Sequence, residues 1–205
     1  MSLIFAYFYD NLMSKTEEAC LKGWRQELLK NVSGDVLEIG AGTGANIKFY
    51  PADVNLILAE PDKNMRKQIE FKISKNKLKD ISVSASSAEQ IEAKDESFDF
   101  VISSLVCCSV TNLELALLEI NRVLKPGGSL AFLEHVGAKV GSKRRRWQNL
   151  INPFWRKLAG NCHLNRETES AILSAGFTIN EIKRESMRKA ISIVRPTIRG
   201  IAVKN

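Results

Sequence analysis

The feature that most restricts the fold is a run of alternate glycines directly after a short apolar segment. Val36–Ile39 is predicted as a buried strand, and Glu38-Ile-Gly40-Ala-Gly42-Thr-Gly44 carries the chain out of it. Glycine lacks a Cβ, so this backbone can turn tightly and approach a ligand closely. A strand, a glycine loop and a helix in this order are typical of folds in which the loop binds a cofactor. The run therefore predicts a ligand at the end of the first strand of a parallel sheet.

The rest of the chain alternates short apolar runs with longer amphipathic segments, as strands joined by crossover helices do. Strands are predicted at 36–39, 54–59, 81–85, 98–103 and 129–133, and helices from Gly44, over 62–75 with Asp62 as N-cap, and over 113–124. The strand-like segments 179–184 and 191–203 have too short a connection for a parallel pair. We predict an α/β fold: a Rossmann-like, seven-stranded, mainly parallel sheet with a C-terminal antiparallel hairpin and helices on both faces.

A chain of 205 residues without a linker or repeat suits a single domain. We divide it into an N-terminal helical arm or lid, a cofactor-binding core, a basic aromatic lid insertion, and a last helix with the closing hairpin (1–30, 31–138, 139–165 and 166–205). The 44% hydrophobic and 26% charged residues exclude disordered, collagen-like and coiled-coil classes. No apolar run approaches the roughly 20 residues that span a bilayer, and the first residues lack signal-peptide features. We expect a cytoplasmic protein.

The cysteines show no spacing that indicates a metal site. Cys20, Cys107, Cys108 and Cys162 include no CxxC pair, and only two histidines accompany them. We therefore expect no metal and no disulfide framework, and a reducing compartment is the simpler interpretation. Two of these cysteines, Cys107 and Cys108, follow a predicted buried strand and are expected to pack as small apolar side chains.

An acidic residue completes the ligand site predicted at the glycine loop. Glu60 closes the second strand 20 residues after Gly40, where a carboxylate can accept hydrogen bonds from both hydroxyls of an adenosine ribose. The loop also satisfies the nicotinamide fingerprint, but Glu38 would repel a pyrophosphate and attract an ammonium. The third glycine, at Gly44, and the closing hairpin also differ from dinucleotide-binding folds. S-adenosylmethionine has an ammonium, a sulfonium and no phosphate, so the sequence indicates this cofactor.

Three ordered motifs resemble those of class I S-adenosylmethionine-dependent methyltransferases: Val36–Gly44, Ser97–Ile102 and Arg122–Gly128. The resemblance covers about residues 32–203. A closer one is to the methyltransferase-like 7 group, which contains membrane-associated alkyl thiol S-methyltransferases. It rests on Gly42–Pro51, Leu105–Val110, Glu134–Val136, Cys162–Glu167 and Val194–Gly200. The resemblance implies methylation of a small molecule, for which an alkyl thiol is one candidate and a lipid-like amine, phenol or quinol are the alternatives. The apolar residues of the predicted lid segments favour an apolar acceptor.

The resemblance also implies which residues contact the cofactor. The loop holds its methionine part, Glu60 its ribose, the segment after the third strand its adenine, and the segment after the fourth strand its reactive end. The residues concerned are Glu38, Gly40, Ala41, Gly42, Gly44, Glu60, Pro61, Ser87, Ala88, Glu89, Ser103, Ser104 and Leu105. In the arm, Tyr9 either folds over the methionine group or packs.

The candidate catalytic residue is His135, which follows Glu134 at the end of the fifth strand. Substrate pockets open at this end of such sheets, and an imidazole there can take a proton from a thiol or a phenol. The alternative is a histidine that only hydrogen-bonds neighbouring backbone. His163 is either a pocket-lining or a structural residue.

Residues 143–158 form a basic aromatic segment with six cations, no acid and three large aromatic side chains. Its apolar residues recur at helical spacing, and Pro153 is predicted to begin a second short helix capped by Asn152. Three interpretations are open: a lid alone, a lid that also contacts an anionic membrane, and nucleic-acid binding. The pattern favours nucleic acid least, because no recognition module is appended to the core.

We therefore expect an S-adenosylmethionine-dependent methyltransferase that acts on a small, apolar molecule. Two alternatives stay open at this stage. The net charge of +7 is the main support for an RNA or protein methyltransferase, which salt-sensitive RNA binding would favour. A non-catalytic cofactor-binding protein would bind the cofactor tightly without turnover.

Overall fold

The computed structural model describes residues 13–75 and 80–205. Its strands are β1 (Asp35–Ile39), β2 (Asn55–Ala59), β3 (Ile81–Ser84), β4 (Phe98–Ser104), β5 (Leu124–His135), β6 (Phe177–Ser186) and β7 (Pro196–Lys204). They form one seven-stranded sheet in the order β3-β2-β1-β4-β5-β7-β6. The first five strands are parallel, and β7 lies antiparallel between β5 and β6. The predicted fold class is confirmed.

Residues 13–16, where the described part of the chain begins, are α-helical. The α-helices that follow are α1 (Lys22–Leu29), α2 (Lys63–Ile73), α3 (Leu113–Val123), α4 (Lys143–Leu158) and α5 (Thr168–Ser174). A π-helical turn, Glu17–Leu21, leads into α1, and 3-10 turns form at Ile47–Phe49 and Ser192–Val194. The predicted cap of α2 is confirmed, because the Asp62 carboxylate accepts hydrogen bonds from the Asn64 and Met65 amides. No helix within these described ranges has the length and apolar character needed to cross a membrane.

Helices cover both faces of the sheet, so most residues of the central strands β1, β4 and β5 are buried. On one face, Leu37, Val101 and Phe132 pack against apolar residues of α3 and α5. On the other, Leu56 and Ile102 pack with residues of α1 and α2. Because β1, β2, β4 and β5 run parallel, their carboxyl ends meet at one edge of the sheet, and the loops that follow them lie side by side.

The hairpin pairs closely because Gly200 of β7 has no side chain. A Cβ at Gly200 would lie 1.9 Å from the carbonyl oxygen of Glu181 on β6. The register between the two strands shifts at this place, between Ile179 and Glu181. The sequence predicted the hairpin, and the structure shows that β7, its second strand, is the one beside β5.

Three local predictions are wrong. No α-helix begins at Gly44: a 3-10 turn ends at Phe49 because Tyr50, which precedes Pro51, is extended. Pro153 does not begin a new helix but lies inside the single helix α4, and the Asn152 side chain accepts from the Leu164 amide instead of capping. The last strand begins only at Pro196, after a 3-10 turn. Tyr9 lies in the part of the predicted arm, residues 1–12, that falls outside the described residues. The lid roles of 1–30 and 139–165 stay predictions.

Candidate active site

The glycine loop leaves β1 in a conformation that favours glycine. Gly40, Gly42 and Gly44 have φ of +53°, +58° and +77°. A Cβ at Gly40 would lie 2.8 Å from the Val106 methyls, and one at Gly44 would lie 2.5 Å from Cδ1 of Ile47. At Gly42 the nearest atom would be 4.0 Å away. The loop is therefore closely packed at Gly40 and Gly44, whereas at Gly42 it borders empty space that a side chain would fill.

Glu60 stands beside this opening at the end of β2. Its Oε2 accepts from the Gly42 amide at 2.8 Å, and its Oε1 accepts from the Asp62 amide at 2.9 Å. Desolvation by burial raises the pKa of Glu60, although both amides oppose that shift. Each carboxylate oxygen keeps acceptor capacity for a further donor, which is what a ribose diol requires. Of the other predicted residues here, Ala41 is buried and donates its amide to Ala59, and Pro61 is exposed.

Glu38 is directed into the protein, where side chains of the next segment hold it. It accepts from Nδ2 of Asn46 at 2.9 Å and from the Tyr50 hydroxyl at 2.7 Å. Burial raises its pKa to about 7. Arg25 of α1 extends this network by donating at 2.7 Å to both Asn46 Oδ1 and the Ser104 hydroxyl. Glu38 thus anchors the loop, and its contact with the cofactor ammonium stays a prediction.

The residues predicted around the adenine lie in a turn after β3. Ser87 pairs with Gln90 in an isolated bridge, and Ala88 is buried. The Glu89 carboxylate accepts from the Thr111 amide at 2.6 Å, so it is bound to the segment that precedes α3. The cofactor contacts predicted for these residues are untested.

Glu134, a buried residue for which the sequence analysis predicted no role, binds the end of β4 and the loop that follows it. Glu134 Oε1 accepts from the Ser103 hydroxyl at 2.7 Å and from the Val106 amide at 3.1 Å, while its Oε2 is buried and unpaired among the residues described. Burial raises the pKa of Glu134. Ser103 is fully buried and Leu105 has a φ of +61°. This network fixes the path of the loop after β4, against which Gly40 packs.

His135 belongs to a cluster that joins three separate segments. Its Nε2 lies 3.2 Å from Sγ of Cys162, and Cys108 completes a group whose ligand atoms all lie within 4.8 Å of one another. A hydrogen bond from the Cys108 thiol holds the pKa of Cys162 below its ordinary value, and the same contact, with burial, raises the pKa of Cys108. The expectation of no metal rested on spacing along the chain, and folding brings together ligands that spacing does not reveal.

Surrounding groups hold this cluster in place. The His163 amide donates to the Cys108 carbonyl at 2.7 Å, and the Arg166 guanidinium donates to the carbonyls of Cys107 and Val110. Burial lowers the pKa of the His163 imidazole to about 4. Cys107 is buried against Ser103, as expected of a packed thiol.

Comparison with known proteins decides the family. A family model described as a methyltransferase domain matches residues 37–132. Thiol S-methyltransferase TMT1A of Homo sapiens is 33% identical over 98% of this chain and 83% of that protein. Thiol S-methyltransferase TMT1B of Rattus norvegicus is 36% identical over 100% of this chain and 84% of that protein. The chain belongs to the methyltransferase-like 7 family.

This methyltransferase-like 7 protein is an S-adenosylmethionine-dependent methyltransferase, as its sequence predicted. A solved S-adenosylmethionine-dependent methyltransferase from Methanosarcina mazei has the same fold, with a TM-score of 0.66, 19% identity, and coverage of 83% of this chain and 92% of that chain. The matched domain contains the glycine loop, Glu60 and Cys108, whereas Arg25, His135 and Cys162 lie outside it. The sequence analysis missed Arg25, Asn46, Tyr50 and Glu134 as site residues, because no spacing rule marks them.

Proposed function

We propose that this methyltransferase transfers the methyl group of S-adenosylmethionine to the sulfur of a small, apolar thiol. The observation that carries the acceptor class is the similarity, over nearly the whole chain, to two proteins named thiol S-methyltransferases. When bound, the cofactor supplies a methyl group on a sulfonium. The chain itself has to hold the cofactor, place the thiol in line and dispose of the thiol proton.

The glycine loop and Glu60 are the proposed cofactor site. The opening at Gly42 allows backbone to approach the cofactor, and Glu60 offers two oxygens already oriented by the Gly42 and Asp62 amides. An acceptor oriented before binding costs less to order, and a carboxylate forms strong hydrogen bonds to hydroxyls. A carboxylate that accepts hydrogen bonds from hydroxyl groups, beside backbone that a ligand can approach, fits an adenosine ribose.

The acceptor sulfur reacts as a thiolate, because the thiol is a poor nucleophile. The sulfur forms a bond to the methyl carbon, the bond from that carbon to the sulfonium breaks, and the thiol proton is released to solvent. In the cluster, Cys108 follows β4, His135 ends β5 and Cys162 follows α4, so the cluster lies at the edge of the sheet that also carries the glycine loop. We therefore place the acceptor sulfur beside this cluster.

The test is release of S-adenosylhomocysteine with a series of alkyl thiols of increasing length. We expect saturable release that improves with chain length, and none with the matched alcohols. Cofactor binding without release from any thiol would contradict the proposal. Release with RNA or a protein acceptor instead would favour the alternative class of methyltransferase.

We also propose that this protein works in the cytoplasm and contacts an anionic membrane through α4. Trp147, Leu150, Phe154 and Leu158 are 58%, 65%, 72% and 80% exposed and recur every three or four residues along one side of the helix. Exposed cations accompany this stripe: Lys143, Arg144, Arg146 and Lys157. An exposed apolar stripe with cations and no acid matches the surface of an anionic bilayer. Apolar thiols dissolve in such bilayers, so this contact would place the enzyme near its acceptor.

A further inference from the structure

We propose that Cys108, His135 and Cys162 bind a zinc ion that leaves one coordination position for the acceptor sulfur. The inference deepens the proposed thiol methylation and rests on it for the role of the open position. The metal site itself rests on the geometry of the three side chains.

The three ligand atoms are already close to the arrangement that zinc requires. They lie within 4.8 Å of one another, and Sγ of Cys162 is 3.2 Å from Nε2 of His135. Zinc bonds of about 2.3 Å to sulfur and about 2.0 Å to nitrogen place tetrahedral ligand atoms roughly 3.5–3.8 Å apart. Side-chain adjustments of about 1 Å or less therefore suffice. Two thiolates, one imidazole and an open position form a ligand set found in catalytic zinc sites.

The burial of the ligands and the balance of charge favour a bound zinc ion over buried thiolates without a cation. Cys108 and His135 are 4% and 3% exposed, so a thiolate there without a cation would be costly. Two thiolates neutralise Zn²⁺, and the imidazole binds in its neutral form, so the filled site has no net charge. Cys162 is only partly buried. We therefore expect the acceptor to approach the ion from the side of Cys162.

The ligands sit on segments that the protein holds together independently of a metal. The His163 amide bonds the Cys108 carbonyl at 2.7 Å, which links the loop after β4 to the segment between α4 and α5. Arg166 donates to carbonyls on both sides of Cys108. A site preorganised in this way loses little entropy when the ion binds.

The open position gives the acceptor thiol a way to ionise near neutral pH. A thiol that coordinates zinc loses its proton, so the ion binds it as the nucleophilic thiolate and the proton leaves to solvent. Transfer of the methyl group then converts the thiolate to a neutral thioether, a weaker ligand that dissociates. No oxidant or reductant is needed. Cys108 is two residues from Val106, which contacts the glycine loop, so ion and cofactor would lie at the same edge of the sheet.

The first experiment measures metal content in the full-length protein purified without chelators. We expect about one zinc per chain, lost on treatment with a strong chelator and restored by zinc alone. Cys162→Ala and Cys108→Ser should lose the zinc, whereas Cys162→His, which supplies a nitrogen ligand, should retain it. Cys107→Ser is the matched control, because Cys107 is a buried neighbouring thiol outside the cluster, and it should retain the zinc. Metal-free protein, or a disulfide between Cys108 and Cys162, would overturn the proposal.

The second experiment replaces zinc by Co²⁺ and records the visible and near-ultraviolet spectrum. Sulfur coordination should give a charge-transfer band, and an alkyl thiol added without cofactor should shift the spectrum. An unchanged spectrum would remove the open position from the proposal. These measurements do not depend on methyl transfer, so the zinc site and the proposed thiol methylation can be contradicted independently of each other. Metal and thiol binding without S-adenosylhomocysteine release would contradict the proposed function, and chelator-insensitive release from metal-free protein would overturn the zinc site alone.

Discussion

At the scale of single residues, three buried glutamates at one edge of the sheet share a chemistry and differ in their partners. Burial raises the pKa of Glu38, Glu60 and Glu134 alike. Side chains of Asn46 and Tyr50 hold Glu38, backbone amides hold Glu60, and Glu134 has one oxygen unpaired within the described ranges. Only Glu60 stands beside the open part of the glycine loop, so its substitution tests the cofactor site most directly.

We predict that Glu60→Ala weakens S-adenosylmethionine binding by about 1–3 kcal/mol, or roughly 5- to 150-fold in Kd, because charged hydrogen bonds to the ribose are lost. Isothermal titration calorimetry measures this. Glu92→Ala, which removes an exposed carboxylate, is the control and should bind as the wild type does. Unchanged affinity in Glu60→Ala would contradict the ribose assignment.

At the scale of elements, a glycine of the glycine loop can be compared with a glycine elsewhere that also has a positive φ. Gly42 has a φ of +58°, and Gly127, near the start of β5, has a φ of +74°. Neither would bring an added methyl group closer than 4.0 Å to a neighbour. They differ in position, because only Gly42 lies at the proposed cofactor site.

Gly42→Ala and Gly127→Ala should each lower the free energy of unfolding by about 1–2 kcal/mol, since alanine disfavours positive φ. Only Gly42→Ala should also weaken cofactor binding, by about tenfold or more, because its methyl group fills space that the cofactor needs. Denaturant unfolding and calorimetry measure the two effects. Equal loss of affinity in both variants would show that the loop opening is not the cofactor site.

Helix α4 permits a second test at this scale. Binding to vesicles that contain phosphatidylserine should fall about tenfold or more in the double variant Trp147→Ser with Phe154→Ser, and should weaken for the wild type as salt increases. Vesicle co-sedimentation measures the bound fraction. Leu173→Ser, which removes an exposed leucine of α5, should bind like the wild type. Membrane binding that survives the double variant would exclude α4 as the contact.

At the scale of the whole molecule, buried ionisable groups make the stability depend on pH. The pKa of Glu38 rises from 4.5 to about 7 on folding, so the folded state binds a proton that the unfolded state has lost. Its contribution therefore falls as the pH rises from 4.5 through 7. His163 acts in the opposite direction, because folding lowers its pKa from 6.5 to about 4. The contribution of Glu38 has to be measured as a difference between variants.

We predict that Glu38→Gln is increasingly stable relative to the wild type as the pH is raised. The difference in the free energy of unfolding should grow by about 3 kcal/mol between about pH 4 and pH 8, since glutamine cannot ionise. Urea unfolding across this range measures it. Glu70→Gln, at an exposed position on α2, should leave the pH dependence unchanged. Parallel curves for Glu38→Gln and the wild type would show that Glu38 ionises normally.

The amino-acid sequence by itself determined the class of fold and the class of reaction. Alternate glycines after Val36–Ile39, Glu60 at the end of the second strand and the ordered motifs are local patterns, whose structural meaning depends on backbone geometry over a few residues. Strand and helix existence follows from apolar periodicity in the same way. The closing hairpin could be predicted because a short connection forbids a parallel pair.

Only the tertiary structure decided which distant side chains meet. Cys108, His135 and Cys162 come from three segments that are far apart in the chain, and packing of the loops after β4 and β5 against the segment before α5 brings their ligand atoms together. Glu38 contacts Asn46 and Tyr50 for a similar reason, because Arg25 of α1 bonds both Asn46 and the Ser104 hydroxyl at the end of β4. Pro153 stays inside α4 although its local signal indicates a helix start. Contacts of this kind depend on the sum of many packing energies, which no short pattern in the sequence contains.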